Sequence, residues 1–308
     1  MDTMTITKRI ETLQTDHIDR NPDNHKPSSE PLLLKLVQFG FKTIGPIFPA
    51  FAAKIAIRLF STPQRRAYHK VSDEILESAR MFEFLYGKQI LKGYEWGRGE
   101  QTILLVHGWE SRGTALRTFV PSLVEQGYRV VAFDGPAHGN SGGKRTNLVH
   151  FSGAVQAAIR QIGKVHGIIA HSFGGASTVY ALANAKTPIE IEKLVLIAVP
   201  NSIQRVLEQT IRTLKLPKSV AKEFFKIIEN ILAAPIHSAD VSQAYERVRA
   251  KEALLVHDRQ DRVVPFTTSE TIYEAWENAT LLVTEGLGHY RLMKNPDLIG
   301  RVADFVKY

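Results

Sequence analysis

Residues 167–175 read Gly167-Ile168-Ile169-Ala170-His171-Ser172-Phe173-Gly174-Gly175, an apolar strand that runs through a single serine into a glycine-opened helix. A strand-to-helix turn this tight forces the serine into a strained backbone conformation that projects its hydroxyl, and the residues two before and two after it must be very small. Gly174 meets that requirement, and Ala170 stands where a first glycine is usual, with the next smallest side chain. The segment therefore reads as a nucleophile elbow with Ser172 at its apex.

Working outward, short Val/Ile/Leu-rich runs alternate with longer helical stretches. The runs are TILLV at 102–106, RVVAF at 129–133, GIIA at 167–170, KLVLIAV at 193–199, ALLV at 253–256 and TLLV at 280–283. Residues 81–86 and 89–96, flanking Gly87-Lys88, add a hairpin. This alternation predicts an α/β fold with a mostly parallel eight-stranded sheet and helices on both faces. Between 200 and 251 the pattern is broken by an insertion with its own helical stretch, Ser219 to Leu232.

In such a sheet, functional groups collect at the carboxyl ends of the strands. A serine hydroxyl needs a base within hydrogen-bond reach and a third group to orient that base. His289, in Gly288-His289-Tyr290 after the last strand, is the candidate base. Two carboxylates follow the Ala253 strand. Asp258 stands at the strand end, where capping the turn is the plainer role, whereas Asp261 precedes Arg262-Val263-Val264-Pro265 and is preferred as the acid. The charge that develops on an attacked carbonyl oxygen requires backbone N–H donors. Phe173 N–H opens the helix after the serine, and Trp109, after His107-Gly108, offers a second. His107 is expected to hold its loop by hydrogen bonds.

Taken in order, His107-Gly108-Trp109, Asp134-Gly135-Pro136-Ala137-His138-Gly139-Asn140-Ser141, His171-Ser172-Phe173-Gly174-Gly175, Asp258 through Pro265 and Gly288-His289-Tyr290 resemble the α/β-hydrolase superfamily over residues 81–308. The resemblance implies Ser172 as nucleophile, Asp261 as acid, His289 as base and Trp109 and Phe173 as oxyanion donors. It implies a small helical cap at about 200–251 and no metal or organic cofactor. The activity it implies is that of a serine hydrolase, read here as carboxylesterase-like and acting on an ester or related acyl bond, with peptidase, thioesterase, lipase and carbon–carbon hydrolase activities open because the fold does not choose among them. Serine at the elbow argues against the relatives that use an aspartate nucleophile. Phe224, Phe225, Ile227, Ile228, Ile231 and Leu232 in the insertion favour a hydrophobic small-molecule substrate. The alternative is a non-catalytic binding or scaffold protein on the same fold, which loss of a triad position would favour.

The 308-residue chain has 39 Lys and Arg against 31 Asp and Glu, but the excess is local. Residues 31–70 hold seven bases and no acid, leaving 32 bases against 31 acids elsewhere. No general basic surface is implied, and the phenylalanines of this segment lie within apolar helical runs, which argues against nucleic acid. Cysteine is absent, excluding disulfides, thiolate metal sites and a cysteine nucleophile. The first twenty residues lack the apolar run of a secretory signal, so a cytoplasmic location is the expectation. The most apolar stretch, 44–60, is shorter than the roughly 20 residues that cross a bilayer and is interrupted by Pro46, Pro49, Lys54 and Arg58.

Three segments are expected: residues 1–30, flexible, with the polar stretch 21–31 as linker; 31–80, a basic helical extension; and 81–308, the main domain. Helices are predicted at 32–39 and 47–60, where Ile47, Phe51, Ile55 and Leu59 recur every four residues. That stripe predicts packing against the main domain or a second copy of the chain, with peripheral membrane contact through 31–70 as the other reading.

Overall fold

A computed structural model describes residues 8–14, 31–64 and 73–307. The linker expected at 21–31, apart from Pro31, and the bases Arg65, Arg66 and Lys70 lie outside the described residues.

The chain opens with strand β1 (Arg9–Thr12), helices α1 (Leu32–Thr43), α2 (Pro49–Phe60) and α3 (Glu74–Glu77), and the hairpin β2 (Arg80–Tyr86) and β3 (Gln89–Trp96). There follow β4 (Thr102–Val106), α4 (Val120–Glu125), β5 (Arg129–Phe133), α5 (Leu148–Ile162), β6 (Gly167–His171), α6 (Phe173–Ala183) and β7 (Glu190–Ile197). The insertion carries α7 (Ile203–Leu214) and α8 (Lys218–Leu232). The chain then finishes with β8 (Arg249–Asp258), α9 (Thr267–Ala275), β9 (Ala279–Thr284), α10 (Gly288–Arg291) and α11 (Pro296–Phe305).

These elements form two compact units. In the first, described at 8–14, 63–64, 73–201 and 241–307, one sheet has the order β1-β9-β8-β7-β6-β4-β5-β3-β2. Only the β2–β3 and β3–β5 pairings are antiparallel. All eight expected strands are present, but among the described residues the sheet has nine, which corrects the expected count. The ninth is β1, which pairs parallel with β9, Arg9 opposite Thr280 through Thr12 opposite Val283. Arg-Ile-Glu-Thr carries no hydrophobic run because it lies at the sheet edge with Ile10 exposed. An Arg301–Glu11 ion pair at 2.7 Å and the Leu13 N–H bonded to Val283 O secure it.

The central strands β4 and β6 are buried throughout, which accounts for their unbroken apolar runs. Alternate residues serve the two sheet faces. Leu104 and Val106 pack with Phe151 and Val155 of α5, while Ile103 and Leu105 pack with Leu123 of α4 and Leu298 and Val302 of α11. Each such side chain removed from water contributes about 1.5–3 kcal/mol, which holds the strand ends in register beneath the loops that follow them. Asn147 caps α5 by accepting from His150 N–H at 2.9 Å, and Gly163 at φ 85° ends that helix.

The second unit comprises 31–62 and 202–240, so the N-terminal helices and the insertion fold together. On α8, Val220, Phe224, Ile228 and Leu232 recur every four residues and are buried, Phe224 meeting Phe60 of α2 edge to face at 6.0 Å. Part of the apolar surface expected to line a substrate site is thus spent on packing inside this unit. Gln38 of α1 is buried and donates to Thr213 O at 2.9 Å. The predicted stripe behaves differently: α2 buries Ala52, Ala53 and Ala56, while Ile47, Phe51, Ile55 and Leu59 are exposed. Among the described residues no helix is long and apolar enough to cross a membrane.

Candidate active site

Ser172 caps α6 directly after β6, with φ 53° and ψ −127°. Its N–H bonds to Ile197 O of β7 at 2.8 Å, so the turn begins on a sheet hydrogen bond and cannot relax away. The small residues behind it are a packing necessity. A Cβ on Gly174 would lie 2.1 Å from His107 O, and one on Gly175 2.2 Å from a Val199 methyl. The non-glycine positive φ is backbone strain costing on the order of 1–3 kcal/mol, held by the sheet on one side and the helix on the other.

The loop after β9 brings His289 to this serine. Asp261 and His289 are buried and Ser172 is half-buried. His289 Nδ1 lies 2.7 Å from Asp261 Oδ2, and its Nε2 lies 3.1 Å from Ser172 Oγ. The ionised carboxylate can only accept, so Nδ1 carries the proton and Nε2 is left to accept from the serine hydroxyl. Asp261 Oδ1 accepts from the N–H groups of Val263 and Val264 at 2.7 and 2.9 Å. Burial pushes the Asp261 carboxyl up, but hydrogen bonds from His257 and His289 outweigh it and hold the pKa well below the usual carboxylate range.

The rival carboxylate has a different task. Asp258 is fully buried and accepts from Thr284 Oγ1, Leu287 N–H and Gln260 N–H at 2.8–2.9 Å, tying the end of β8 to the loop that carries His289. Geometry therefore separates the two candidates: Asp261 touches the imidazole and Asp258 fastens the loops.

Trp109 and Phe173 meet at the serine, their rings edge to face at 5.1 Å. The Gly108 backbone passes close enough that an added Cβ would sit 3.2 Å from Ser172 Cβ. Among the described residues, the backbone N–H groups of Trp109 and Phe173 have no protein acceptor. His107 holds this loop as expected, its Nδ1 donating to Gly108 O at 2.7 Å and its Nε2 accepting from Gly135 N–H at 2.9 Å. All five residues singled out in the sequence thus gather at the carboxyl ends of β4, β6, β8 and β9.

Three supporting residues carried no assigned role in the sequence. His257 is fully buried, accepts from Ser269 Oγ at Nδ1, and directs Nε2 to Val264 O at 3.0 Å and Asp261 Oδ2 at 3.3 Å. His171 directs Nε2 to His289 O at 3.0 Å and packs its ring 4.7 Å from that of His289. Asp134 accepts from Gly113 N–H, Asn140 N–H and Tyr94 OH, pinning the loops after β4 and β5. The available signal was position: each stands at or just past a strand end in the motifs already quoted. A polar residue beginning a loop there, however, reads equally well as solvated.

Burial depresses the pKa of His107 to about 4 and those of His138 and His171 to about 3. Between these values and the unfolded value of about 6.5 the unfolded chain binds more protons, so stability falls as pH drops through that window. Each histidine is expected to forfeit on the order of 2 kcal/mol at about pH 5 relative to pH 7.5. Urea melts at the two pH values should show a lower midpoint in acid; equal midpoints would mean that these imidazoles are not held neutral.

The sheet order, the positive-φ serine and the loop positions define an α/β-hydrolase architecture. The chain belongs to the alpha/beta hydrolase family, whose model matches residues 103–301. It is 27% identical over 263 residues to 2-hydroxy-6-oxononadienedioate/2-hydroxy-6-oxononatrienedioate hydrolase 1 of Dechloromonas aromatica, covering 69% of this chain and 89% of that protein. It is 23% identical over 251 residues to the uncharacterized hydrolase YugF of Bacillus subtilis, covering 68% and 91%. The solved structure of the Pyrococcus furiosus esterase Pf2001 superposes with a TM-score of 0.61 at 22% identity, covering 80% of this chain and 98% of that one.

Proposed function

We propose that this chain is a serine hydrolase that cleaves an ester or related acyl bond through a covalent acyl-enzyme. The observation that carries the reading is the hydrogen-bonded line Ser172 Oγ, His289 Nε2, His289 Nδ1, Asp261 Oδ2, with two unpaired backbone N–H groups beside the serine. Ser172 Oγ attacks the acyl carbon while His289 Nε2 takes its proton. Asp261, kept ionised, stabilises the imidazolium that results. Negative charge moves to the former carbonyl oxygen, where the N–H groups of Trp109 and Phe173 receive it; such donors are worth about 10²–10³ in rate each. The intermediate collapses as His289 protonates the leaving group, and water then repeats the sequence on the acyl-enzyme. The half-buried rings of Trp109 and Phe173 put aromatic surface next to the hydroxyl, which favours an apolar acyl or alcohol group over a charged one.

A purely binding role would not require a strained serine, an oriented imidazole and a buried carboxylate all in place. The test is a panel of p-nitrophenyl esters of rising acyl length. Turnover above the spontaneous rate is expected, greater for short and medium apolar chains than for a succinyl half-ester. Failure to accelerate any ester, thioester or activated amide would remove the proposal.

A further inference from the structure

The segment from Leu32 to Leu59 shows ten of the seventeen exposed large apolar side chains among the described residues, each between 37 and 74% exposed. On α1 the outward residues are Leu32, Leu36 and Phe39, and on the turn and α2 they are Ile47, Phe48 and Phe51. Scattered exposed apolar residues need no explanation, but ten within twenty-eight residues of chain mark an interaction surface. The burial pattern shows that it is not a misassigned core face. The opposite sides, Gln38 and Phe41 on α1 and Ala52, Ala53 and Ala56 on α2, are the ones packed within the second unit.

Charge identifies the partner. Between residues 31 and 64 there is no Asp or Glu, and Lys35, Lys42, Lys54 and Arg58 are all exposed. On α2 the bases Lys54 and Arg58 stack one turn apart, directly beside the Phe51–Ile55–Leu59 stripe, where their methylene stems can lie along apolar surface with the charge at its edge. The α7–α8 part of the unit adds six more exposed bases, so its described residues hold ten bases against four acids. A two-fold pairing through the stripe would set this patch against itself, basic margin to basic margin. An apolar stripe with a cationic margin instead matches the acyl–headgroup boundary of an anionic bilayer.

We propose that the α1–α2 pair docks in the plane of an anionic phospholipid membrane, its apolar face in the interface and Lys54 and Arg58 at the level of the headgroups. This goes beyond the hydrolase reading and does not depend on it, since none of the residues involved belongs to the candidate active site.

The test is flotation of the full chain with vesicles of phosphatidylcholine alone or with about a third phosphatidylglycerol, at about 0.05 M salt. The wild-type chain is expected to float with the anionic vesicles and to be released as salt approaches about 0.5 M. The Lys54→Gln/Arg58→Gln variant should lose about thirtyfold in partitioning, corresponding to about 1 kcal/mol for each base. Phe39→Glu/Phe51→Glu should not float at all while melting like wild type, because both rings lie outside the core. The Ser172→Ala chain should float like wild type. Three results would overturn the proposal: no binding to anionic vesicles at low salt; a wild-type dimer by light scattering that Phe39→Glu/Phe51→Glu dissociates, which would make a second copy the occupant; or loss of flotation in Ser172→Ala, which would place the binding at the catalytic serine.

Discussion

Ser172→Ala is expected to lower kcat/KM for an activated ester by a factor on the order of 10⁴–10⁶ while leaving the fold intact. On the proposed mechanism, removing the hydroxyl removes the nucleophile, and the residual rate is what positioning and the two N–H donors supply alone. The fold is spared because the hydroxyl is half-buried and its side-chain hydrogen bond is to His289, at 3.1 Å. Ser172→Gly separates catalysis from structure further. Glycine relieves a φ of 53° that serine occupies at a cost. Against this, glycine's greater freedom in the unfolded chain costs about 0.5–1 kcal/mol. Ser172→Gly should therefore be inactive yet at least as stable to heat as wild type, as kinetics and a thermal melt on one preparation would reveal. An active Ser172→Gly enzyme would place the nucleophile elsewhere.

Asp261→Asn carries the second largest effect, a loss of about 10⁴ in kcat with little change in KM. The amide can donate to His289 Nδ1, which drives the proton to Nε2 and leaves no acceptor for the serine hydroxyl. His257 Nε2, within 3.3 Å of the same oxygen, adds a second donor that loses its carboxylate partner. Asp258→Asn should behave in the opposite way. Its carboxylate accepts three hydrogen bonds, none of them from the imidazole, so the variant should keep kcat within a few fold and lose about 1–3 kcal/mol of stability to an imperfectly paired buried group. Reversed outcomes, with Asp258→Asn dead and Asp261→Asn active, would make Asp258 the acid and contradict the assignment.

The sheet was readable because the central strands are buried on both faces and must be continuous apolar runs, and because tight turns restrict which residues can flank a nucleophile. The candidate site was readable for a related reason: strand ends in a parallel sheet converge, so residues more than a hundred positions apart, such as Ser172 and His289, can be brought together by topology alone. What escaped had no local signal. The strand Arg9–Thr12 is an exposed edge whose partners, Val283 and Arg301, are more than 250 residues away. The union of α1 and α2 with α7 and α8 is likewise a long-range pairing. On α2 periodicity identified two faces; the alanine face packs within the unit, and the larger stripe, expected to meet the main domain, a second copy or a membrane, is exposed in the single chain. Alanines pack there because they let the helix approach closely, leaving the bulkier stripe outside. His171 and His257 were visible at strand ends, but only tertiary structure shows that each bonds to a member of the Ser172–His289–Asp261 line.

The most direct test of the central claim, that Ser172 is an activated nucleophile, is intact-protein mass spectrometry after treatment with a fluorophosphonate. One stoichiometric adduct is expected, mapping to the peptide that contains Ser172, absent from Ser172→Ala and formed far more slowly in His289→Ala. A chain that stays unmodified, or an adduct that maps to another serine and persists in Ser172→Ala, would contradict the assignment.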